Sequence, residues 1–391
     1  MQKIVTLFLL STLILFGMRY QQLKTKILKE SNILKSQNLL LKKTTQNNDI
    51  LLRRSNPILT IEASNFNQTK GDNSFGYSIN TSQTFRRDNY MRGLEDKAMA
   101  TSLLSHALVS EGKASYIKEI EKLYTNYVYQ NRVLLLLKEE YKLSQEVTSM
   151  VKQRYKSGSQ TRVSYLQAKT QTTTIKTQMF SIKQKITTLY YQLTALAGIT
   201  QKISLEKNFI YAISPSIKKS HKLSPQEKIL QAKENIYKSE YRINEDSFQK
   251  YQLYGGMEQE PDQAILRFGV TIPLPLFNDK TQERSLAKLK KEENMLKQKQ
   301  LTVVIHSVKE RIKYSLTALF EQYSSLKNLR NEQQELSSLL HRGYKISRGS
   351  LFQLMTAKNS LIQTKKALLQ TTQQINLQKI ELHFLQGDYN D

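Results

Sequence analysis

Proline placement constrains this chain more than any other feature. Its six prolines are Pro57, Pro215, Pro225, Pro261, Pro273 and Pro275, so residues 58–214 and 276–391 contain none. Proline breaks helix interiors and glycine weakens them. Past Gly93, the first tract has glycine only at 112, 158 and 198. Both tracts therefore read as very long helices. A disordered chain would be richer in both residues, so the 39% apolar content reflects elongated elements that bury one seam and wet the rest.

The stretch Ile4 to Phe16 follows Lys3 and is weakly polar to apolar over 13 residues, ending at Gly17. That is short for a spanning helix, which needs about 20 residues. It resembles a secretory signal peptide without a clear cleavage motif; a retained anchor is the alternative. The absence of cysteine excludes disulfide scaffolds, thiolate metal sites and a lipid-bearing N-terminal cysteine.

The chain also repeats itself. At a constant offset of 189, Tyr155, Lys156, Ala168, Lys169, Lys176, Gln184, Ile186, Leu193, Leu196 and Gly198 meet Tyr344, Lys345, Ala357, Lys358, Lys365, Gln373, Ile375, Leu382, Leu385 and Gly387. An ungapped match of this kind favours duplication. Each half opens with period-two alternation. In the first, Leu59, Ile61 and Ala63 precede a polar loop at 67–74, then Phe75, Tyr77 and Ile79. In the second, a weak strand at Tyr251 and Leu253 and an acidic loop from Glu258 to Ala264 precede Leu266, Phe268, Val270, Ile272 and Leu274.

Helical tracts over 94–157 and 276–342 follow, each about 100 Å long at 1.5 Å per residue. Ile117, Ile120, Tyr124, Tyr127, Leu134 and Tyr141 form a 3/4-spaced seam interrupted by Asn131 and Lys138. Each tract reaches a Gly/Ser break, at 157–159 or 347–350, and a further helix runs to Gly198 or Gly387, expected C-caps. The expected organisation is a signal at 1–17, a helical segment at 18–56, a β-hairpin at 57–86 and a long α-hairpin at 87–200 with its tip near 158. A linker and helix at 201–248 lead to a second β-hairpin at 249–275, a second α-hairpin at 276–387 with its tip near 347–349, and a tail at 388–391.

Strands of about ten residues with one apolar face suit a membrane-spanning barrel. Four cannot close one, and open edges are not tolerated in lipid, so a membrane barrel would have to be shared among subunits. A small soluble sheet beside coiled coils stays open at this point.

These residues resemble the TolC-like outer membrane factors, exit channels of tripartite efflux and type I secretion systems. The family's hairpin-tip pattern is an aromatic, two residues, Gly, then Leu and Ala about eight and ten positions on. Tyr155, Gly158, Leu166 and Ala168 match it fully. Tyr344, Ser347, Met355 and Ala357 keep the frame with serine in the glycine place and Gly349 displaced by two. Asn56-Pro57 and the run Phe268 to Asn278 add to the likeness, the latter to metal-efflux members of the CzcC kind.

The resemblance implies a mainly α fold in which a homotrimer forms a twelve-stranded outer-membrane β-barrel, set in outer-membrane lipid, and a periplasmic α-barrel. It implies as partners a periplasmic adaptor and an inner-membrane RND or ABC pump, with no cofactor and no nucleic acid. It places Arg154, Tyr155, Gly158, Leu166, Ala168, Tyr344, Ser347, Gly349, Leu354, Met355 and Ala357 at the adaptor-facing end. Some members carry an aspartate ring at the entrance, but the matching positions are Gln353 and Thr356, with Arg162 and Arg348 nearby, so cation selection there is doubtful.

No catalytic pattern competes. His106, His221, His306, His341 and His383 lack metal-ligand spacing, and Glu139-Glu140 and Glu292-Glu293 read as solvated helix faces. The expected function is a passive conduit, not an enzyme. A net charge of +26 supports a coiled-coil protein that binds nucleic acid or an anionic surface, although the basic residues are spread rather than clustered. A periplasmic adaptor is a further alternative, but it would show one hairpin rather than two.

Overall fold

The computed structural model describes residues 18–66, 74–215, 222–346 and 350–389. The expected signal at 1–17, His221, and Ser347, Arg348 and Gly349 lie outside them. The elements run α1 (Tyr20–Glu30), α2 (Asn32–Leu52), β1 (Ile58–Phe66), β2 (Ser74–Arg86), α3 (Asp88–Lys156), α4 (Arg162–Leu196) and α5 (Pro225–Ile243). Then follow β3 (Lys250–Gln259), β4 (Ala264–Thr271), α6 (Thr281–Lys345) and α7 (Leu351–Leu385). They fall into two compact units: Met1–Lys35, Gly112–Ser224 and Ile305–Asp391 in one, and Ser36–Glu111 and Pro225–Val304 in the other.

The second unit holds one antiparallel sheet in the order β1-β2-β3-β4. Ile61 pairs with Ile79, Ile79 with Met257, and Met257 with Leu266. The period of two sorts the residues by face: Phe75, Tyr77 and Ile79 are exposed, while Gly76 and Ser78 between them are buried. Phe268 is 81% exposed, and Leu266 and Val270 beside it are also exposed. The opposite face is polar. Asn80 donates to Ser78 at 3.1 Å, and Gln252 donates to Ser82 at 2.7 Å.

Three sequence expectations shift here. β3 is a full ten-residue strand, which narrows the acidic loop to 260–263. β4 stops at Thr271 because Pro273 has no N–H to continue a ladder. α6 starts at Thr281 rather than 276, after an irregular stretch ending at Lys280 with φ 66, where Asp279 accepts from the Thr281 backbone N–H at 3.0 Å. Among the described residues, no helix is long and apolar enough to cross a membrane.

In the same unit α2 is held to the start of α3 by amide and hydroxyl contacts. Asn48 donates to the Ala98 carbonyl and to Ser102, both at 2.9 Å, and Thr44 meets Ser105 at 2.5 Å. α5 is fixed to the start of α6 by Asn294, which donates to the Leu230 carbonyl at 3.0 Å.

The first unit carries the internal repeat into three dimensions. α4 and α7 each have 35 residues, and both their starts and their ends lie 189 positions apart. α3 and α6 also end 189 apart, at Lys156 and Lys345. Gly198 and Gly387 take left-handed φ values of 66° and 72°. The next residue in each case bonds back five positions, Ile199 N–H to Thr194 at 2.9 Å and Asp388 N–H to His383 at 3.0 Å, which closes both helices as Schellman caps.

The core gathers Leu23 and Ile27 of α1, Ile120, Tyr124 and Val128 of α3, and Leu193 and Ala197 at the end of α4. The expected seam residues Ile117, Ile120, Tyr124 and Tyr127 are buried. Asn131, expected to interrupt the seam, is buried within it and donates to the Tyr127 carbonyl at 2.9 Å. The seam then passes to Val133, Leu136 and Leu137.

At the centre of this unit Glu121 is buried and accepts from three phenols. Tyr20 donates at 2.9 Å, Tyr211 at 2.8 Å, and Tyr389 also donates. Burial first, and the carboxylate second, push the Tyr20, Tyr211 and Tyr389 hydroxyls well above the usual phenol range. They therefore remain donors at every physiological pH. The carboxylate ties α1, α3, the 209–215 segment and the C-terminal turn to one point. Glu121→Ala leaves three buried hydroxyls without their acceptor, at about 1–3 kcal/mol for each that finds no other. The thermal midpoint should fall sharply, and an unchanged midpoint would remove this tie from the account of stability.

Candidate functional site at the hairpin ends

The turn between α3 and α4 follows from its sequence. Gly158 adopts φ 76°, the left-handed region where a Cβ is penalised. Ser159 N–H bonds to the Arg154 carbonyl at 2.8 Å and Gly158 N–H to Tyr155 at 3.1 Å. Thr161 then caps α4 by accepting from the Ser164 N–H at 3.2 Å. A Cβ at Gly158 would meet nothing within 4 Å, so backbone conformation alone selects glycine there.

Behind the turn, Val147 and Val151 of α3, Ala168 of α4, Tyr344 of α6 and Leu354 of α7 form one buried cluster. Arg154 spans the two hairpins: its guanidinium lies 4.1 Å from the Tyr344 ring centroid, and Nη2 donates to the Tyr344 carbonyl at 2.7 Å.

The proposed tip residues therefore divide. Ala168, Tyr344, Leu354 and Ala357 are buried packing residues, whereas Tyr155, Gly158, Arg162, Leu166, Gln353 and Thr356 are exposed. Arg154 and Met355 are half-buried. Tyr155 stacks on Tyr165 with ring centroids 6.0 Å apart. Val163, Leu166 and Thr170 of α4 and Leu351, Phe352 and Met355 of α7 line an open groove of about 640 Å³. Val163 and Phe352 were not among the sequence candidates. They belong to the apolar positions of their helices, but periodicity alone could not say which apolar face would be left uncovered.

The electrostatics of this end were also missed, although the signal is plain in the sequence. From Val147 to Leu205 there are nine Lys and Arg and no Asp or Glu; from Leu336 to Ile380 there are seven and none. The nearest carboxylates are Glu146 on α3 and Glu335 on α6, and two more sit further along α3. Glu139 lies 3.9 Å from Lys365, and Glu140 lies 3.7 Å from Lys366. Contrary to the expected solvated face, Glu140 is buried. Burial raises its carboxyl above the usual range, while Lys366 opposes the shift.

Lys358 is placed differently, with its ammonium nitrogen buried and without a hydrogen-bond partner. Burial lowers its pKa, opposed by the more distant charge of Glu146. Burial and Lys358 together hold His341 down. Among the described residues there is no group of three His, Cys, Asp or Glu able to hold a metal ion. What the arrangement offers is a stiff turn, an apolar groove and a cationic surface.

Two substitutions separate backbone from packing. Gly158→Val should destabilise the turn by about 1–2 kcal/mol, seen as faster amide exchange over 154–162, and Gly158→Asn should cost less. Equal exchange in both variants would show that φ is not what selects glycine. Lys358 penalises the folded state wherever it is charged, and the penalty fades as pH rises through its lowered pKa towards the unfolded value of about 10.4. Lys358→Met should raise the thermal midpoint at pH 7, and the gap to the parent should close towards pH 10. A lower midpoint at pH 7 would contradict this.

The sequence matches no family model and no curated protein. Solved structures nevertheless share the architecture over nearly the whole chain. The outer membrane protein VceC from Vibrio cholerae superposes with a TM-score of 0.79 at 13% identity, covering 94% of this chain and 95% of that one. The outer-membrane channel OprN gives 0.79 at 14% identity over 95% and 90%. CusC, whose structures describe folding and transmembrane channel formation, gives 0.77 at 15% over 94% and 91%. At this identity the likeness is one of fold: the chain is built on the architecture of outer-membrane channels.

Proposed function

We propose that this protein is the outer-membrane exit channel of a tripartite efflux system, a homotrimer that serves as a passive, non-enzymatic conduit. The carrying observation is the sheet. β1 and β4 each pair on one side only, and the apolar faces of β2 and β4 are exposed while the alternating side is polar. In water such a sheet invites aggregation. In lipid the same faces are correct, provided that both edges are paired. Three copies supply twelve strands, enough to close a barrel with an open lumen.

The hairpin ends are the other half of the reading. The exposed groove at Val163, Leu166 and Phe352, with Tyr155 and Arg162 beside the turn, is the surface on which a periplasmic adaptor would dock to couple the conduit to an inner-membrane pump. The likeness to CzcC-type members around Ile272 to Asn278 leans towards an RND pump moving metals or small molecules. Two duplicated hairpins argue against an adaptor, which carries one. Ion pairs such as Arg242–Asp96 at 2.6 Å and Lys122–Glu381 at 3.1 Å engage part of the basic surplus in structure, which weakens the nucleic-acid reading.

Fractionation should place the protein in the outer membrane. Light scattering on the detergent-extracted protein should give three copies, and planar bilayers should show discrete conductance. Recovery as a monomer from the soluble cytoplasmic fraction would sink the proposal.

A further inference from the structure

Charge in the first unit is unevenly placed, and position along the hairpins decides its sign. Away from the turns the two long helices are close to neutral. Residues 112–146 of α3 carry six Lys and Arg against five Glu, and residues 305–335 of α6 carry five against four. Nearer the turns the acids stop: residues 147–176 carry six cations and no acid, and residues 336–366 carry six and none. Of these, Lys365 and Lys366 lie beside Glu139 and Glu140 of α3, so the uncompensated charge is concentrated on the first hairpin.

On α4 these cations are also ordered. Arg162, Lys169, Lys176 and Lys183 recur every seven residues, a spacing that drifts only about 20° around a helix per repeat, so they form one stripe with steps of about 10.5 Å. All four are exposed, and among the described residues none has an ion-pair partner. Lys183 lies over the Phe180 ring at 5.6 Å, which leaves its charge intact. The buried residues Ala168 and Ile175 immediately precede Lys169 and Lys176, which puts the stripe about 100° away from the packed face. Beside Lys169 an open groove of about 520 Å³ is lined by Leu166, Thr170, Thr173, Thr174, Thr177 and Gln178, with no acid.

Keeping a helix wet does not require one sign of charge. An exposed face can mix Glu with Lys four residues apart and gain stability from each pair, as Glu293 and Lys297 do on α6. α4 forgoes every such pair, since it contains no Asp or Glu. Its exposed face therefore carries a net field as well as solubility.

We propose, resting on the trimeric channel reading, that the α4 stripe faces the conduit and makes it anion-selective, so that its cargo carries net negative charge, as carboxylates and phosphates do. Three copies repeat each stripe cation around one axis, and rings of Arg and Lys suit anion pores. A solute following the stripe is within about 5 Å, measured along the helix, of the nearest cation, inside the 8 Å or so over which charge is felt at physiological salt. The factor by which such a field disfavours a monovalent cation is squared for a divalent one. Bare metal ions are therefore the cargo that these walls suit least.

Reversal potentials of the full chain in planar bilayers under a KCl gradient test this. Chloride should be favoured over potassium by about three- to tenfold near 0.1 M salt, up to the lower end of what clefts of one sign give. The preference should shrink towards unity near 1 M, where the Debye length falls to about 3 Å. Arg162→Glu, Lys169→Glu and Lys176→Glu combined should abolish or invert it. Lys138→Glu, Lys142→Glu and Lys327→Glu, which reverse exposed cations of the near-neutral stretches, should change it by less than about twofold. If the triple reversal fails to insert, Lys169→Gln with Lys176→Gln should still lower the ratio, and the salt dependence of the parent needs no variant. No preference for chloride, a preference unchanged near 1 M, or an equal shift from both reversal sets overturns the proposal while the conductance keeps the channel reading standing. No conductance at all overturns both.

Discussion

An unpaired strand edge is the constraint on which the rest of this molecule depends. β1 and β4 leave one row of backbone N–H and C=O groups each, and those groups must find partners wherever water is excluded. Four strands cannot curl far enough to satisfy each other, so the sheet is incomplete alone. The same incompleteness runs through the helices. α3 finds a partner in α7, whereas α6 and α4 present the corresponding faces uncovered. The duplicated chain carries two copies of each joint half, and among the described residues the α3–α7 joint is the one made.

Duplication also explains why equivalent residues behave differently. Tyr155 and Tyr344 occupy the same place in their repeats, yet one is exposed and stacks on Tyr165 while the other is buried beneath Arg154. A position covered within the chain can exploit a fixed neighbour, as Arg154 does with the Tyr344 carbonyl. Charge burial shows a related contrast. Glu121 is surrounded by phenols that cannot lose their protons in water, so its desolvation is offset. Lys358 has no hydrogen-bond partner, and only the charge of Glu146 opposes the cost of its burial.

Much of this was legible in the sequence because proline and glycine act locally. The six prolines fall outside every helix interior, Gly158, Gly198 and Gly387 mark turns, and the offset of 189 recurs in the helix boundaries. Alternation at Phe75 to Ile79 and Leu266 to Val270 located the strands that matter. What could not be read were properties set by neighbours far along the chain. Asn131 and Glu140 look like polar interruptions on a helical wheel, but each is buried because α3 is covered on more than one side. Tyr344 and Leu354 were expected at the adaptor-facing end yet lie inside, because their partners Val147 and Val151 are nearly two hundred residues away. Residues 272–275 looked continuous with the strand and 276–280 with the helix, since a sequence pattern cannot show how much chain is needed to turn out of a sheet.

The net charge carries more information by its placement than by its size. A +26 chain could spread its acids evenly, but α4 contains none and α7 has only Glu381, near the end away from the turn. Towards the turns the last carboxylates are Glu146 on α3 and Glu335 on α6, each some ten residues short of the turn. Around the last turns of both hairpins, every charged side chain is therefore a cation, whichever face it occupies. Screening at physiological salt acts over about 8 Å, comparable with the spacing between neighbouring helices, so these cations reinforce one another locally. A partner surface that docks there, or a solute that passes there, meets positive potential without a compensating acid. Anions gain from that field and cations lose. The missing aspartate ring is thus one part of a broader pattern, in which the whole end of the molecule has been cleared of negative charge.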